Sequence, residues 1–130
     1  MARKEKQFSG PVVRGEGIAA RDFDFPTANL DLGHQPDLEH GIFAAKVYFD
    51  GWEFPGALCY GSGDPPKFEV HLLGFEGDLI GKELDVIIMQ KVSELIGYDS
   101  KERLRQKIQH DVQLVEEFFR NLNQTPPEEK

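Results

Sequence analysis

The sequence predicts an all-β barrel with a C-terminal helix, built as a six-stranded antiparallel Greek-key barrel. Two observations support this prediction. Short β-branched and aromatic runs, separated by glycine, proline and aspartate turns, fill residues 10–91. Near the C-terminus the apolar residues instead recur every three or four positions, as on one face of a helix. A six-stranded sheet this small most readily removes its edges by closing, so we expect the helix to pack outside it.

Six segments carry the strand signal. Asp50-Gly51 between the third and fourth predicts a tight hairpin. Pro55 predicts that the fourth strand is bulged or lies at an edge, because proline cannot donate to a ladder. In chain order the segments are GPVVRG (10–15), PTANLDL (26–32), IFAAKVYF (42–49), WEFPGALCY (52–60), FEVHLL (68–73) and ELDVIIMQK (83–91).

The C-terminal helix is predicted from a single apolar face. Asp99 is expected to cap its N-terminus, with Glu102 at the third helical position as in a capping box. Charged residues fill the other faces. The apolar face consists of Leu104, Ile108, Val112, Val115, Phe119 and Leu122.

Length and composition fit one domain. Its 130 residues are predicted to divide into a flexible N-terminal arm (1–8), a barrel plus helix (9–123) and a disordered tail (124–130). With Cys59 as the single cysteine, an internal disulfide is excluded and a reducing, cytoplasmic setting is favoured. The thiol itself is expected to be buried and inert.

Charge and hydropathy exclude two classes of partner. The formal net charge of −8 argues against binding to a nucleic-acid backbone, which needs a basic surface. No apolar run approaches the roughly 18 residues that span a membrane. We therefore expect neither nucleic-acid nor membrane partners. We also expect a monomer.

The stretch PTAN (26–29) is the first candidate site. In extended backbone, Thr27 and Asn29 point to one face, roughly 7 Å apart. Their neutral oxygens suit magnesium only if a substrate supplies the negative charge, which indicates a metal–nucleotide complex. The alternative is a turn asparagine beside a threonine of high β-propensity.

The strand FEVHLL (68–73) and the loop GEGIAAR (15–21) are further candidates. Glu69 and His71 lie on the face opposite Phe68, Val70 and Leu72, where a carboxylate could accept a hydroxyl proton during phosphoryl transfer. Glu69 could equally be a solvated strand residue. The glycines of the loop could hold phosphates, or could simply form a turn.

Together these segments resemble the ATP-dependent riboflavin kinases (flavokinases). The resemblance rests on RDFDFPTANL, GIFAAKVYFDGWEFPGALCYG, FEVHLLGFEGDLIGKELDVII and YDSKERLRQKIQHDV in that order, and it spans residues 9–119. It implies a six-stranded Greek-key barrel with a C-terminal helix. It also implies transfer of the ATP γ-phosphate to the ribityl 5′-hydroxyl of riboflavin, which gives FMN, with Mg²⁺ or another divalent cation.

The resemblance also implies residue roles. Glu69 would be the catalytic base, and Thr27 and Asn29 would bind the metal. Tyr98 and Leu104 would contact the flavin. ATP would be bound by Gly15, Gly17, Arg21, Thr27, Asn29 and His71.

The sequence departs from the family pattern at several positions. Ala20 and Asp24 stand where glycine is usual, Ile80 where tyrosine is common, and Val92-Ser93 where Leu-Arg is usual. These departures motivate an alternative, a non-catalytic flavin- or nucleotide-binding barrel descended from that family. A protein-interaction barrel is a third possibility. The family's kinase domain often follows an adenylyltransferase domain; since no such segment is present, we expect the reaction to stop at FMN.

Overall fold

The computed structural model describes residues 6–14, 27–97 and 99–123. They form six strands and one helix. The strands are β1 (Gln7–Val13), β2 (Ala28–Leu30), β3 (Gly41–Phe49), β4 (Trp52–Ser62), β5 (Lys67–Leu72) and β6 (Glu83–Ser93), followed by helix α1 (Lys101–Asn123).

The six strands close into a barrel in the order β1-β2-β5-β4-β3-β6, with β6 pairing back onto β1. Every neighbouring pair is antiparallel. The predicted fold is thus confirmed. The predicted hairpin is also present, because Phe49 pairs with Trp52 across Asp50 and Gly51. Both turn residues have positive φ, as a type I′ turn requires.

The barrel interior is filled by alternate residues of its strands. On β5, Phe68, Val70 and Leu72 are buried, whereas Glu69 and His71 are half-buried on the outer side. This is the alternation that the sequence predicted. The interior is apolar and includes Val12, Leu30, Phe43, Val47, Leu58, Tyr60, Leu84 and Val86.

Helix α1 packs on the outside of the barrel against β3, β4 and β6. Ile42 and Ala44 alternate with the interior residues of β3, so they point outward, and both are buried. Val115 of α1 is fully buried as well. These residues form a second, smaller apolar layer that fixes the helix to the barrel.

The structure corrects the predicted N-terminal end of the barrel. β1 begins at Gln7, so residues 7 and 8 belong to the barrel and not to the arm. The Phe8 ring packs edge-on against Phe68, with ring centroids 5.4 Å apart, and this contact extends the strand beyond its β-branched residues. Lys6 of the predicted arm is described and exposed, whereas residues 1–5 and the tail, residues 124–130, lie outside the described residues.

The helix begins one residue later than predicted. Ser100, and not Asp99, caps α1, because its Oγ accepts a hydrogen bond from the Arg103 backbone N–H at 3.1 Å. Asp99 instead pairs with the Arg103 side chain at 3.4 Å. At the other end of the predicted apolar face, Leu122 is 41% exposed.

Pro55 does not make β4 an edge strand, since β4 pairs with both β3 and β5. The β4–β5 pairing starts at Gly56, and the Pro55 carbonyl accepts from the Leu73 N–H at the end of that ladder. Pro55 therefore lacks its N–H at the end of the β4–β5 ladder, where the loss interrupts little of the hydrogen bonding. Within the described part of the chain, no helix is both long and apolar enough to cross a membrane.

Candidate active site

Strands β2 and β5 bring the two candidate segments together. Asn29 is the direct antiparallel partner of Glu69, and Ala28 is the partner of Val70. Directly paired residues present their side chains on the same face, with Cβ atoms roughly 5 Å apart. Ala28 and Val70 point into the core, so Asn29 and Glu69 share the outer face of the barrel. A candidate metal-binding residue and a candidate base are therefore neighbours on a rigid ladder.

The Asn29–Glu69 pair belongs to a continuous line of residues across the outside of the barrel, which we call the outer row. Each member is the antiparallel partner of the next, so neighbouring backbones lie roughly 4.8 Å apart. In spatial order the outer row is Val13, Asn29, Glu69, Cys59, Ile42 and Ser93.

A pocket of about 380 Å³ opens beside the Asn29 end of this row. Thr27 and Asn29 line it, and so does the turn after β5 that contains Gly77 and Asp78. Thr27 is half-buried and Asn29 is 9% exposed, so both side chains are partly shielded from solvent. A pocket of this size, with converging polar groups at its wall, is typical of small-molecule sites.

Burial controls the acid–base chemistry of the outer row. Desolvation raises the pKa of Glu69 above its ordinary value of 4.5, and the nearby Lys67 ammonium partly opposes this shift. Burial, followed by the Glu69 and Asp111 carboxylates, raises the pKa of Cys59 to about 12, against an opposing effect of Lys107. Cys59 is therefore a protonated thiol, while Glu69 has gained basicity.

The donor atoms at the pocket suit a divalent cation that arrives with phosphates. Within residues 6–14, 27–97 and 99–123, no group of three or more His, Cys, Asp or Glu side chains could hold a metal ion. Thr27 and Asn29 offer two neutral oxygens, which bind magnesium only when phosphate oxygens and water complete its shell. The residues present thus fit a metal–nucleotide complex better than a free metal.

Comparison with models of known protein families identifies the family to which this chain belongs. The riboflavin kinase (flavokinase) family model matches residues 2–119 of the 130. The chain belongs to the riboflavin kinase family.

Curated relatives of this riboflavin kinase family member carry a second named activity. A protein from Pseudomonas fluorescens is 35% identical over 112 residues, which cover 82% of this chain and 36% of that protein. A protein from Escherichia coli K12 is 32% identical over 117 residues, covering 85% of this chain and 37% of that protein. Both are named bifunctional riboflavin kinase/FMN adenylyltransferase. The chain spans less than two-fifths of their length.

Solved structures share the fold of this family member. Riboflavin kinase from Trypanosoma brucei superposes with a TM-score of 0.64 at 18% identity, covering 99% of this chain and 95% of that one. A structure described as a macrolide-efflux protein from Streptococcus pneumoniae gives 0.74 at 22% identity, covering 85% of this chain and 38% of that one. At such low sequence identities, both similarities show a shared fold and nothing further.

The other residues expected to bind substrates fall into two groups. His71 is half-buried on β5, two positions from Glu69 on the same outer side, and pairs across to Ala57 of β4. Leu104 is half-buried near the start of α1. Four further candidates, Gly15, Gly17, Arg21 and Tyr98, lie outside the described residues.

Sequence reasoning missed a polar cluster beneath α1. Lys107 donates to Ser93 Oγ at 2.9 Å and to Asp111 Oδ2 at 2.5 Å, and Asp111 is 6% exposed. One signal could have found it. Asp111 is three residues after Ile108 and four before Val115, so it occupies the apolar face of the helix where a carboxylate is not expected.

Proposed function

We propose that this chain is a riboflavin kinase, an ATP:riboflavin 5′-phosphotransferase that forms FMN and ADP. The observation that carries the proposal is the pairing of Asn29 with Glu69 beside a pocket, in a chain that belongs to the riboflavin kinase family. Phosphoryl transfer needs positioned groups and charge stabilisation more than covalent chemistry. The β2–β5 ladder, which holds Asn29 and Glu69 side by side, supplies such positioning.

Glu69 acts as the base in this mechanism. The ribityl 5′-oxygen forms a bond to the γ-phosphorus, and the bond from that phosphorus to the oxygen it shares with the β-phosphate breaks, leaving ADP. The proton of the 5′-hydroxyl passes to a Glu69 carboxylate oxygen. The burial that raises the pKa of Glu69 makes the carboxylate a better proton acceptor, which suits this role.

Thr27 and Asn29 would hold a divalent cation, with magnesium as the expected ion. When bound, the cation neutralises phosphate charge and stabilises the charge that develops during transfer. The protein's own contribution is to fix the two neutral oxygens, Asn29 by its place in the β1–β2–β5 ladders and Thr27 by its position next to β2. Because both ligands are neutral, this assignment requires the phosphates to supply the negative charge that balances the cation.

The remaining substrate contacts rest on the family resemblance. We assign His71, Gly15, Gly17 and Arg21 to ATP. We assign Leu104 and Tyr98 to the flavin at the start of α1. We also propose that the enzyme works as a monomer in the cytoplasm, which is consistent with its single cysteine and its acidic charge.

The experiment is to incubate the purified protein with riboflavin, ATP and Mg²⁺ and to separate the flavins by chromatography. We expect FMN and ADP in equal amounts, and no FMN when the metal is removed with a chelator. If riboflavin binds but no FMN forms with any tested metal or nucleotide, the chain is instead the non-catalytic binding module. If neither riboflavin nor a nucleotide binds, both the kinase and the binding-module assignments fail.

A further inference from the structure

A second pocket borders the Asn29–Glu69 pair. It has a volume of about 380 Å³, and its wall includes Asn29, Asp31 and Lys67. The pocket already described includes Thr27 and Asn29 in its wall. Because Thr27 and Asp31 follow Asn29 in opposite directions along the chain, the two pockets lie on opposite sides of Asn29. We call them the Thr27 pocket and the Lys67 pocket.

Lys67 is on the same face of the barrel as the proposed base. On β5, Lys67 and Glu69 alternate with the buried residues, and both are half-buried on the outer side. Because Glu69 is the direct antiparallel partner of Asn29, Lys67 is a diagonal neighbour of Asn29. Such diagonal neighbours are roughly 7–8 Å apart, which is within reach of a long side chain. The flexible four-carbon stem of lysine is such a side chain.

The charge of Lys67 acts on this face. Burial raises the pKa of Glu69, and the Lys67 ammonium opposes that rise, so its positive charge is felt at the carboxylate. Asp31 and Asp64 also line the Lys67 pocket, yet neither of these two described residues forms an ion pair with Lys67. No described carboxylate of this pocket therefore holds the ammonium away from an incoming anion.

The proposed reaction needs positive charge at this place. A phosphoryl group in transfer carries negative charge on its three equatorial oxygens, and lysine, arginine and metal ions stabilise that charge. The proposed cation ligands Thr27 and Asn29 are neutral, whereas an ionised Glu69 brings a further negative charge. A lysine two positions from Glu69 on the same face offsets this charge. In a partly buried pocket such an attraction is stronger than it is in water.

We propose that the Lys67 ammonium donates a hydrogen bond to an oxygen of the phosphoryl group during its transfer and keeps this contact in the FMN product, which makes Lys67 a further catalytic residue. The inference rests on the proposed function and extends it. The bonds that form and break are those already given for the transfer, and the proton of the 5′-hydroxyl still passes to Glu69. Lys67 keeps its own protons throughout and contributes only charge and a hydrogen bond.

The first test compares riboflavin with FMN, which differ by one phosphate group. Dissociation constants are measured by quenching of flavin fluorescence in the presence of ADP and Mg²⁺. In Lys67→Met, which keeps an unbranched stem without the charge, FMN should bind roughly tenfold to hundredfold more weakly than in wild type. Riboflavin binding should change less than about twofold, because riboflavin has no phosphate. Equal losses for both flavins, or unchanged FMN binding, would overturn the proposal.

The second test measures turnover. In Lys67→Met we expect kcat to fall roughly tenfold to hundredfold, the usual loss for a hydrogen bond to a charged group. The KM for riboflavin should change little, because the contact is made only with the phosphoryl group. Lys67→Arg keeps the positive charge and should recover most of the FMN affinity and of kcat. If Lys67→Arg is as impaired as Lys67→Met, the side chain has a packing role and the proposal is wrong.

The matched control is Lys46→Met, the same change on β3. The Lys46 side chain is 30% exposed, and its ion pair with Glu53 is long, at 3.9 Å. This variant should keep the wild-type kcat and the wild-type ratio of FMN to riboflavin affinity. A loss equal to that of Lys67→Met would show a general effect of net charge and would contradict a specific contact.

Arg14 is the alternative source of positive charge, because it lines both pockets. If Arg14→Met loses FMN affinity selectively and Lys67→Met does not, the phosphate is bound by Arg14 and the inference is wrong. The wild-type assay separates this failure from that of the proposed function. If the wild type forms FMN and Lys67→Met forms it at the same rate, only the inference fails; if the wild type forms no FMN, the proposed function fails with it.

Discussion

Replacing Glu69 by glutamine tests the assignment of the catalytic base. Glutamine keeps the size and shape of glutamate at a position fixed by pairing with Asn29 on one side and Cys59 on the other. It retains one carbonyl oxygen that can still orient the ribityl hydroxyl. It cannot take up a proton in the neutral pH range, so only the proton-transfer contribution is removed.

The expected loss follows from the role. A positioned general base contributes typically 10²–10⁴-fold, which is roughly 2.7–5.4 kcal/mol of transition-state stabilisation at 1.36 kcal/mol per factor of ten. We therefore expect kcat to fall by about 10²–10⁴-fold. The KM for riboflavin should stay within a few-fold, because the side chain keeps its shape and its contacts.

The assay is FMN formation under saturating ATP and Mg²⁺, followed by chromatography, with riboflavin affinity measured in parallel. The matched control is Glu53→Gln, the same chemical change at a half-exposed residue of β4 whose ion pair with Lys46 is long, at 3.9 Å. The control should keep its rate. A Glu69→Gln enzyme with a near-normal rate would refute the base assignment, and equal losses in both variants would indicate a general effect of charge.

The same Glu69→Gln substitution, which should lower kcat, should raise thermal stability above neutral pH. Burial raises the pKa of Glu69 in the folded state, so the folded protein binds this proton more tightly than the unfolded chain. Stability is retained below the unfolded pKa and is lost as pH rises through the folded value. In metal-free protein, Glu69→Gln should therefore melt at a higher temperature than wild type at pH 8, with the difference vanishing near pH 4. A lower melting temperature at pH 8 would contradict the stated cause of the shift.

Three further predictions test the metal, the core and the helix start. Asn29→Ala should weaken Mg-nucleotide binding at least tenfold more than flavin binding, measured by calorimetry; equal losses would count against a metal role. Leu58→Ala, at a fully buried residue, should lower the free energy of unfolding by about 2–5 kcal/mol in urea titration, and a cost below 1 kcal/mol would mean that the core tolerates the cavity. Ser100→Ala should cost about 1 kcal/mol and Asp99→Ala much less, whereas the reverse order would restore Asp99 as the cap.

The fold could be predicted because its signals are local. The Asp50-Gly51 turn sets the β3–β4 register by itself, and the alternation in β5 places Phe68, Val70 and Leu72 inside. The apolar period of α1 likewise depends on neighbouring residues only. The start of β1 was missed because it depends on a contact with distant Phe68 that no local pattern encodes.

The site could be predicted only in part. Asn29 and Glu69 are forty positions apart, and nothing in the spacing of either segment says that their strands pair. Their proximity was expected from the family resemblance, and the register of β2 and β5 then supplied the geometry. The cluster of Lys107, Asp111 and Ser93 escaped prediction because its members become neighbours only when α1 docks on β6. The catalytic and metal-binding roles of Glu69 and Asn29 stay predictions until they are measured.

The most direct measurement is a crystal structure of the protein with ADP, Mg²⁺ and FMN. We predict a magnesium ion about 2.0–2.1 Å from the Thr27 hydroxyl and Asn29 carboxamide oxygens. We also predict that the FMN 5′-oxygen lies about 2.6–3.2 Å from a Glu69 carboxylate oxygen. A nucleotide and metal bound away from Thr27 and Asn29, or an FMN phosphate that does not approach Glu69, would contradict the account.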